Sequence, residues 1–351
     1  MSAPLLSVIV PVYKAGPFLR PCIRSLLRNQ GNPEFFEVIA VDDASPDDSA
    51  TILEEFADTH RNFRFIRFPE NRGVGAARNA GIETATGEWL AFCDADDAYV
   101  PGAIHRLVRE LANTECELAV FGMNQVDRQG CTLSVPSEPN GRILDMSDPA
   151  IAVPFVREAF PHRLWAWNKC FRRSLVGLLR FPDFQPCEDA IYSLNCILKA
   201  KRILSIPDIL YEYVQHEGSC LKTVSPKRVR GDILGMEGLF QTIKPWPYFP
   251  LVQPTVRNAL EDVFLRPTVM QLQRAVFHDA VAWNELKNAL FETALHVFGD
   301  PALCGRAQRT FFRLALSSKS LGLLSAALRA KDLGRRSIRR SRRRHSPSMT
   351  S

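Results

Sequence analysis

The stretch that decides the fold is Glu-Trp-Leu-Ala-Phe-Cys-Asp-Ala-Asp-Asp, residues 88–97. Its apolar part predicts a buried strand, which runs directly into three carboxylates, Asp94, Asp96 and Asp97. Because side chains alternate between the faces of a strand, we expect Asp94 and Asp96 to point the same way. Two carboxylates at a strand end suit a hard divalent cation that also binds phosphate oxygens. An acidic loop that caps the next helix would have the same composition, so the stretch alone leaves both interpretations open.

The sequence around this stretch alternates between strand and helix patterns as far as residue 126. Apolar runs predict strands over residues 5–12, 36–41, 63–68, 88–93 and 118–124, and the segments between them predict helices over residues 18–29, 45–60, 73–84 and 101–111. This alternation indicates an α/β fold with a mostly parallel sheet covered by helices on both faces.

Polar side chains follow three of the predicted strands at the point where each strand ends. Tyr13 follows the first strand, Asp42 and Asp43 follow the second, and Asp94 and Asp96 follow the fourth. In parallel sheets, ligands bind in the crevice beyond the carboxyl ends of the strands. The sequence therefore predicts a polar ligand site at this edge of the sheet.

The 351-residue chain carries a formal net charge of +6 that is unevenly distributed. Residues 329–344 hold nine Lys or Arg and one Asp, a net charge of +8, so the rest of the chain sums to −2 (6 − 8). Such a body is not expected to bind nucleic acid, which selects basic surfaces. With the apolar positions of residues 306–328, the basic run fits docking on an anionic membrane face. A packed terminal helix with a solvated basic tail fits equally well.

The nine cysteines form no CxxC pair and no Cys/His zinc spacing. An odd number without a framework is typical of reduced thiols, so we expect a cytoplasmic protein. The first apolar run lacks a preceding basic region and is broken by Pro11. No apolar run approaches the roughly 18 residues that a membrane span needs. We therefore expect neither a signal peptide nor a transmembrane helix.

Five blocks of the sequence resemble, in order and spacing, those of family-2 glycosyltransferases, which have the GT-A fold. The blocks are residues 7–13 (Ser-Val-Ile-Val-Pro-Val-Tyr), 41–47, 71–81, 86–97, and the pair formed by Trp167-Asn-Lys169 with Phe181-Pro…Cys187-Glu-Asp189. The resemblance is to the type that makes bacterial cell-surface polysaccharides. It implies inverting transfer of a sugar from a nucleotide diphosphate, expected to be UDP, to a hydroxyl of a saccharide or lipid-linked acceptor. It also implies a divalent metal, Mn²⁺ or Mg²⁺.

The resemblance also divides the chain by role. Residues 1–126 are expected to form the nucleotide-sugar-binding half, and residues 127–224 the acceptor-binding half of the same GT-A domain. Residues 225–330 have mainly helical patterns and are expected to form a C-terminal helical domain. Residues 331–351 form a basic tail that is expected to be disordered.

The donor is expected to contact Pro11, Tyr13, Asp43, Arg78 and Asp94, as the resemblance implies. Tyr13 offers a flat ring and a hydroxyl to a base. Asp43 can accept a hydrogen bond from the imide N–H of uracil, and Arg78 can donate to the nucleotide or its diphosphate. Asp94 is expected to bind the ribose or a metal-bound water.

The metal is expected to bind Asp96, with Asp97 as the alternative ligand because the sequence does not fix the register of this segment. The segment Tyr-Glu-Tyr-Val-Gln-His-Glu-Gly-Ser, residues 211–219, resembles the family's segment after the acceptor half. In that segment a histidine, here His216, can complete the metal shell. Imidazole is unusual for Mg²⁺ and suits Mn²⁺ better.

The acceptor hydroxyl needs a base, and the resemblance places it on Asp189. A carboxylate at a helix N-terminus is stabilised as the anion, which keeps it ready to accept a proton. Simple helix capping by Glu188 and Asp189 is the alternative interpretation. Trp167, Lys169 and Glu188 are expected to line the acceptor site, although tryptophan is commoner in a core.

Two other classes of function stay open at this point. A nucleotidyltransferase of similar fold would need a Gly-rich, Lys-bearing loop after the first strand, where this chain has Pro-Val-Tyr-Lys-Ala-Gly, residues 11–16. A non-catalytic protein that binds through its basic tail is the second. The intact carboxylates Asp94, Asp96 and Asp189 disfavour an inactive scaffold.

Overall fold

The computed structural model describes residues 3–28, 32–127, 131–134, 141–161, 163–216, 225–274 and 280–300. The predicted membrane-docking segment, 306–328, and the basic tail, 331–351, lie outside the described residues. Contacts within the chain divide it into two units: residues 1–223 with 245–249, and residues 224–244 with 250–351. Within the described ranges, no helix is long and apolar enough to span a membrane.

The first unit contains all the described strands and seven of the helices. The strands are β1 (Leu6–Val12), β2 (Phe36–Asp42), β3 (Phe63–Arg67), β4 (Trp89–Phe92), β5 (Ala98–Tyr99), β6 (Leu118–Val126), β7 (Thr132–Ser134), β8 (Ile143–Asp145), β9 (Lys169–Arg172) and β10 (Arg202–Val214). The helices are α1 (Gly16–Leu27), α2 (Ser49–Thr59), α3 (Val74–Thr84), α4 (Ala103–Ala112), α5 (Pro149–Ala159), α6 (Arg173–Val176) and α7 (Glu188–Lys199).

These strands form one sheet in the order β3-β2-β1-β4-β9-β6-β10-β5, with β7 paired to β6 and β8 paired to β10. The pairings of β1 with β2 and β4, of β2 with β3, and of β6 with β10 are parallel. Because β9 is antiparallel to both β4 and β6, the six strands β1, β2, β3, β4, β6 and β10 all point the same way. Their carboxyl ends therefore share the edge at which the sequence predicts the ligand site.

Helix α1 shows how the sequence builds the core. Its buried residues, Leu19, Cys22, Ile23 and Leu26, recur at intervals of three and four, so they form one face of the helix. That face belongs to the same buried cluster as Val8, Val10 and Val12, which alternate along β1. The strand end that leads into the crevice is thereby held in a packed core.

Helix α3 approaches β1 at Gly81, where an added Cβ would overlap Cγ2 of Ile9. Gly81→Ala is expected to destabilise the protein by about 1–3 kcal/mol, because overpacking a core outweighs the gain of about 1 kcal/mol that alanine brings to a helix. Urea unfolding followed by circular dichroism measures the change. Gly299→Ala is the matched control, since its Cβ would lie 3.7 Å from Leu295, an ordinary contact. An unchanged stability in Gly81→Ala would contradict this close approach.

The acidic segment after β4 differs from the sequence expectation. The strand ends at Phe92, and Asp94–Asp97 form a turn closed by the Asp97 amide donating to the Asp94 carbonyl at 3.0 Å. The expectation that Asp94 and Asp96 share a strand face is therefore wrong, because strand alternation stops before them.

The second unit, as far as it is described, is helical. It contains α8 (Pro226–Ile243), α9 (Phe249–Ala259), a π-helical segment (Leu260–Leu265), α10 (Arg266–Arg274) and α11 (Ala280–Gly299). Helix α8 contacts α11 through Glu237 and His296, whose Oε1 and Nδ1 atoms lie 2.8 Å apart. In the π-helical segment, the fully buried Glu261 accepts from Arg266 at 2.8 Å.

Candidate active site

The end of β1 presents Tyr13 to the crevice. Its side chain is 46% exposed, and the Lys14 ammonium lies 5.2 Å from the ring centroid. Pro11 lies one step inside the strand and is buried. The exposed ring can stack on a planar base, whereas Pro11 is part of the buried strand.

Asp43, at the end of β2, fixes the loop that begins α3. It is 2% exposed, and its carboxylate accepts from the Asn71 side chain at 2.9 Å and from the amides of Arg72 and Gly73 at 2.6 and 2.8 Å. A carboxylate has about four lone-pair sites, so one acceptor position remains for a further donor. Recognition of a base by Asp43 stays a prediction.

Arg78, on α3, links the two halves of the first unit. Its Nη2 donates to Asp94 Oδ1 at 2.8 Å, and its Nη1 donates to Glu188 Oε1 at 2.7 Å. The guanidinium is 4% exposed. Burial opposes its charge, but Asp94, Glu188 and Asp189 together raise the pKa of Arg78 above its usual value. The acidic turn and the start of α7 are thus joined by one buried cation.

The three carboxylates of the acidic turn have different partners. Asp97 is 2% exposed and accepts from the Tyr211 hydroxyl at 2.7 Å and from the Val214 amide at 2.8 Å. Asp96 is open, with 39% of its side chain exposed, and its Oδ2 lies 2.8 Å from His216 Nε2. Partial removal of its carboxylate from water, followed by the charge of the neighbouring Asp94, raises the pKa of Asp96. The geometry thus favours Asp96 over Asp97 as the carboxylate available to a ligand.

Tyr211 is a site residue that the sequence reasoning missed. Its buried hydroxyl donates to Asp97 and accepts from the Asp94 amide at 3.2 Å, so it fixes both ends of the acidic turn. The signal for Tyr211 in the sequence is its place five residues before His216, and the structure puts it in β10.

The pair Asp96 and His216 fits a divalent cation. The two side chains supply one oxygen and one nitrogen donor, and these atoms lie 2.8 Å apart, the distance of a direct hydrogen bond that a bound ion would replace. Among the residues that the structure describes, no group of three or more His, Cys, Asp or Glu side chains surrounds one metal position. Two protein ligands are sufficient where substrate phosphates and water complete the shell.

Asp189 lies in the first turn of α7, next to Glu188. Its Oδ1 accepts from the Ala190 amide at 2.7 Å. Burial, followed by the charge of Glu188, raises the pKa of Asp189 to about 7, while the charge of Arg78 opposes this rise. A carboxylate with such a pKa is suited to accept a proton near neutral pH.

Trp167 and Lys169 lie in the packing beneath the site. Trp167 is 4% exposed and stacks between Trp165 and Tyr211, with ring centroids 4.9 and 4.6 Å away. The Lys169 ammonium donates to the carbonyls of Arg163 and Trp165 and to Asn168 Oδ1, at 2.9, 2.6 and 2.7 Å. Its burial lowers the pKa of Lys169 to about 7. Because both faces of Trp167 are covered, a sugar that stacks on this column would use Trp165.

A cavity of ≈ 400 Å³ lies on the sheet face that carries α5. Its wall includes Trp165, Asn168 and Lys169, together with Phe155 of α5 and Ile197 of α7. Its volume is in the range that holds a small ligand, and the α7 residue in its wall, Ile197, lies eight residues after Asp189.

The crevice combines an exposed tyrosine ring, an acidic turn and a carboxylate at the start of a helix, and its sequence blocks are similar to those of known proteins. Residues 7–141 match the family model described as Glycosyl transferase family 2. Residues 7–141 are a family-2 glycosyltransferase domain. The match contains four of the five blocks that carried the resemblance, while the block with Trp167 and Asp189 lies beyond it.

Two glycosyltransferases are similar in sequence to this chain. The putative glycosyltransferase EpsH of Bacillus subtilis (strain 168) is 32% identical over 240 residues, which cover 65% of each chain. The poly(ribitol-phosphate) beta-glucosyltransferase of Bacillus spizizenii (strain ATCC 23059 / NRRL B-14472 / W23) is 28% identical over 246 residues, covering 68% of this chain and 37% of that protein. The chain therefore spans less than two thirds of the length of these relatives.

The crystal structure of S. aureus TarS 1–349 in complex with UDP-GlcNAc is similar to the structure of this chain, with a TM-score of 0.70. The likeness covers 94% of this chain and 92% of that chain at 19% identity, so it shows the fold alone. The predicted GT-A fold, with helices after the sheet domain, is confirmed. The predicted family-2 glycosyltransferase is confirmed for residues 7–141.

Proposed function

We propose that this protein is an inverting, metal-dependent glycosyltransferase in bacterial cell-surface glycan synthesis. It moves a sugar from a nucleotide diphosphate, with UDP as the expected nucleotide, to a hydroxyl of a saccharide or lipid-linked acceptor. The observation that carries the proposal is the buried Arg78 bridge, because it brings the acidic turn of a nucleotide-sugar fold to the helix that bears a proton acceptor, Asp189.

On the donor side, the exposed ring of Tyr13 stacks on the base and Asp43 accepts from its imide. Asp94 binds the ribose or a metal-bound water through the part of its carboxylate that Arg78 does not occupy. The structure of TarS, a protein of this fold, contains UDP-GlcNAc, which supports a uridine donor here.

Asp96 and His216 would hold the divalent metal, Mn²⁺ or Mg²⁺. When bound, the ion offsets the negative charge that grows on the departing diphosphate. The carboxylate and imidazole form a mixed oxygen and nitrogen donor set, which favours Mn²⁺ over Mg²⁺.

On the acceptor side, Asp189 accepts the proton of the attacking hydroxyl as its oxygen bonds to the anomeric carbon and the diphosphate leaves from the opposite face. This single displacement inverts the configuration of the sugar. The acceptor's remaining part is proposed to occupy the cavity beside Trp165.

A panel of nucleotide sugars with and without Mn²⁺ tests the function in a thermal-shift assay. At a hundred times Kd, a ligand stabilises the native state by about 2.7 kcal/mol, which raises Tm by about 4 °C in a chain of 351 residues. We expect this rise for UDP-sugars with Mn²⁺ and its loss with chelator. Release of pyrophosphate from a nucleoside triphosphate would favour the nucleotidyltransferase alternative instead.

We also propose a cytoplasmic location on the inner face of the plasma membrane, through the basic tail. Removing residues 329–351 is expected to release the protein from anionic vesicles at low salt, because each Lys or Arg near such a surface contributes about 1 kcal/mol. Co-sedimentation of the full chain should weaken steeply as salt rises. Equal pelleting of both forms at low salt would contradict the role of the tail.

A further inference from the structure

Both terminal nitrogens of the Arg78 guanidinium donate to protein carboxylates, while its Nε is buried and has no hydrogen-bond partner among the described residues. Nη1 lies 2.7 Å from Glu188 and Nη2 lies 2.8 Å from Asp94, whose side chains are 8% and 29% exposed. The guanidinium carbon also lies 5.3 Å from the centroid of the Phe181 ring. With 4% of its own side chain exposed, Arg78 presents little surface to a diphosphate in the crevice.

An arginine in this position fixes geometry as well as charge. The guanidinium is planar and rigid, so it holds two carboxylates at a set distance and angle, which the single flexible ammonium of lysine cannot do. Asp94 lies directly after β4, and Glu188 is the first residue of α7, next to Asp189. The position of Arg78 thus sets where α7 begins relative to the acidic turn.

Asp189 is surrounded by charges that Arg78 organises. Glu188 and Asp94 raise its pKa and Arg78 lowers it, while the Lys169 ammonium also interacts with its carboxylate. Removing Arg78 or Glu188 should therefore change the proton affinity of Asp189 in opposite directions.

We propose that Arg78 is a positioning residue, anchored by Glu188, that holds the start of α7 and with it Asp189 at a fixed place relative to Asp94. The inference rests on the proposed function. It replaces the expected donor contact of Arg78 and the expected acceptor contact of Glu188, because both side chains are buried in the bridge.

The test compares Arg78→Met, Arg78→Lys and Glu188→Gln with the unchanged protein, using UDP affinity by calorimetry and the pH profile of transfer. Arg78→Met should lower kcat by about a hundredfold through misplacement of the base, with UDP affinity nearly unchanged. Its rising pH limb should move to higher pH, because the cation that lowers the pKa of Asp189 is gone. The limb of Glu188→Gln should move to lower pH. Arg78→Lys keeps the positive charge but cannot bind two carboxylates at once. Its kcat should therefore fall, while the rising limb of its pH profile should move less than in Arg78→Met.

Arg20→Met is the matched control. Arg20, on α1, donates two exposed hydrogen bonds to Glu55 on α2, so the variant should leave UDP affinity and the pH profile unchanged. If Arg78→Met does not fold, the isosteric Glu188→Gln decides alone. A UDP affinity lowered tenfold or more in Arg78→Met, with an unmoved limb, would overturn the inference in favour of donor binding. A Glu188→Gln variant with a raised acceptor KM and unchanged kcat and limb would also overturn it. Absence of transfer by the unchanged protein would instead refute the proposed function.

Discussion

Asp189→Asn is expected to transfer sugar at least about a hundredfold more slowly than the unchanged protein, the usual scale for loss of a general base. The amide is nearly isosteric with the carboxylate but cannot accept the hydroxyl proton. Donor affinity should stay nearly the same, because Asp189 lies on α7 rather than in the acidic turn. Assays of sugar transfer to the acceptor measure the rate, and calorimetry of UDP binding measures the donor affinity.

The pH profile provides a second measurement of the same assignment. The base is active when deprotonated, so activity should rise with pH through the pKa of about 7 that burial and Glu188 give Asp189. Asp183→Asn is the matched control: it makes the same chemical change at an exposed acid just before α7. A normal rate in Asp189→Asn, or a slow one in Asp183→Asn, would contradict the assignment of the base.

The sequence predicts β1, β2 and β4 well because these strands are buried on both faces. The predicted strand over residues 36–41 is observed as Phe36–Asp42, and the one over residues 5–12 as Leu6–Val12. Continuous apolar runs of this length stand out from their polar flanks. Strand β5 has two residues, too few to show a period, and β9 has two apolar residues between Lys169 and Arg172, so the sequence predicts neither strand.

The site shows a different limit. The blocks of sequence predict which residue types lie near the crevice, but not how their side chains pair. Arg78 and Glu188 are 110 residues apart, and their contact depends on how α3 and α7 pack on the sheet. Likewise, the burial of Trp167 and the three hydrogen bonds of Lys169 arise from the fold around β9. Local sequence patterns carry no information on such pairings, so the sequence alone predicts donor or acceptor contacts for these residues.

Asp96 and Asp97 are adjacent aspartates, but Asp96 is partly exposed and Asp97 is buried. Mutating each in turn therefore separates binding of the metal from stability of the fold. Asp96→Ala is expected to abolish the dependence of UDP binding on Mn²⁺ while the protein stays folded, because its carboxylate is open and lies beside His216. Asp97→Ala is expected to lower stability by about 1–3 kcal/mol, since it leaves buried donors of Tyr211 and Val214 unpaired. Asp58→Ala, at an exposed acid on α2, should change neither property.

Calorimetry of UDP at several Mn²⁺ concentrations, combined with urea unfolding, measures both properties in the three variants. The effect on binding should be large, because the metal neutralises a diphosphate that would otherwise lie against the carboxylates Asp94 and Asp96. If Asp96→Ala still binds UDP in a metal-dependent way, the ligand is Asp97 and the hydrogen bonds of its carboxylate do not exclude a cation. If the double variant also binds normally, the ion is not held by the acidic turn, and the metal assignment to Asp96 and His216 is wrong.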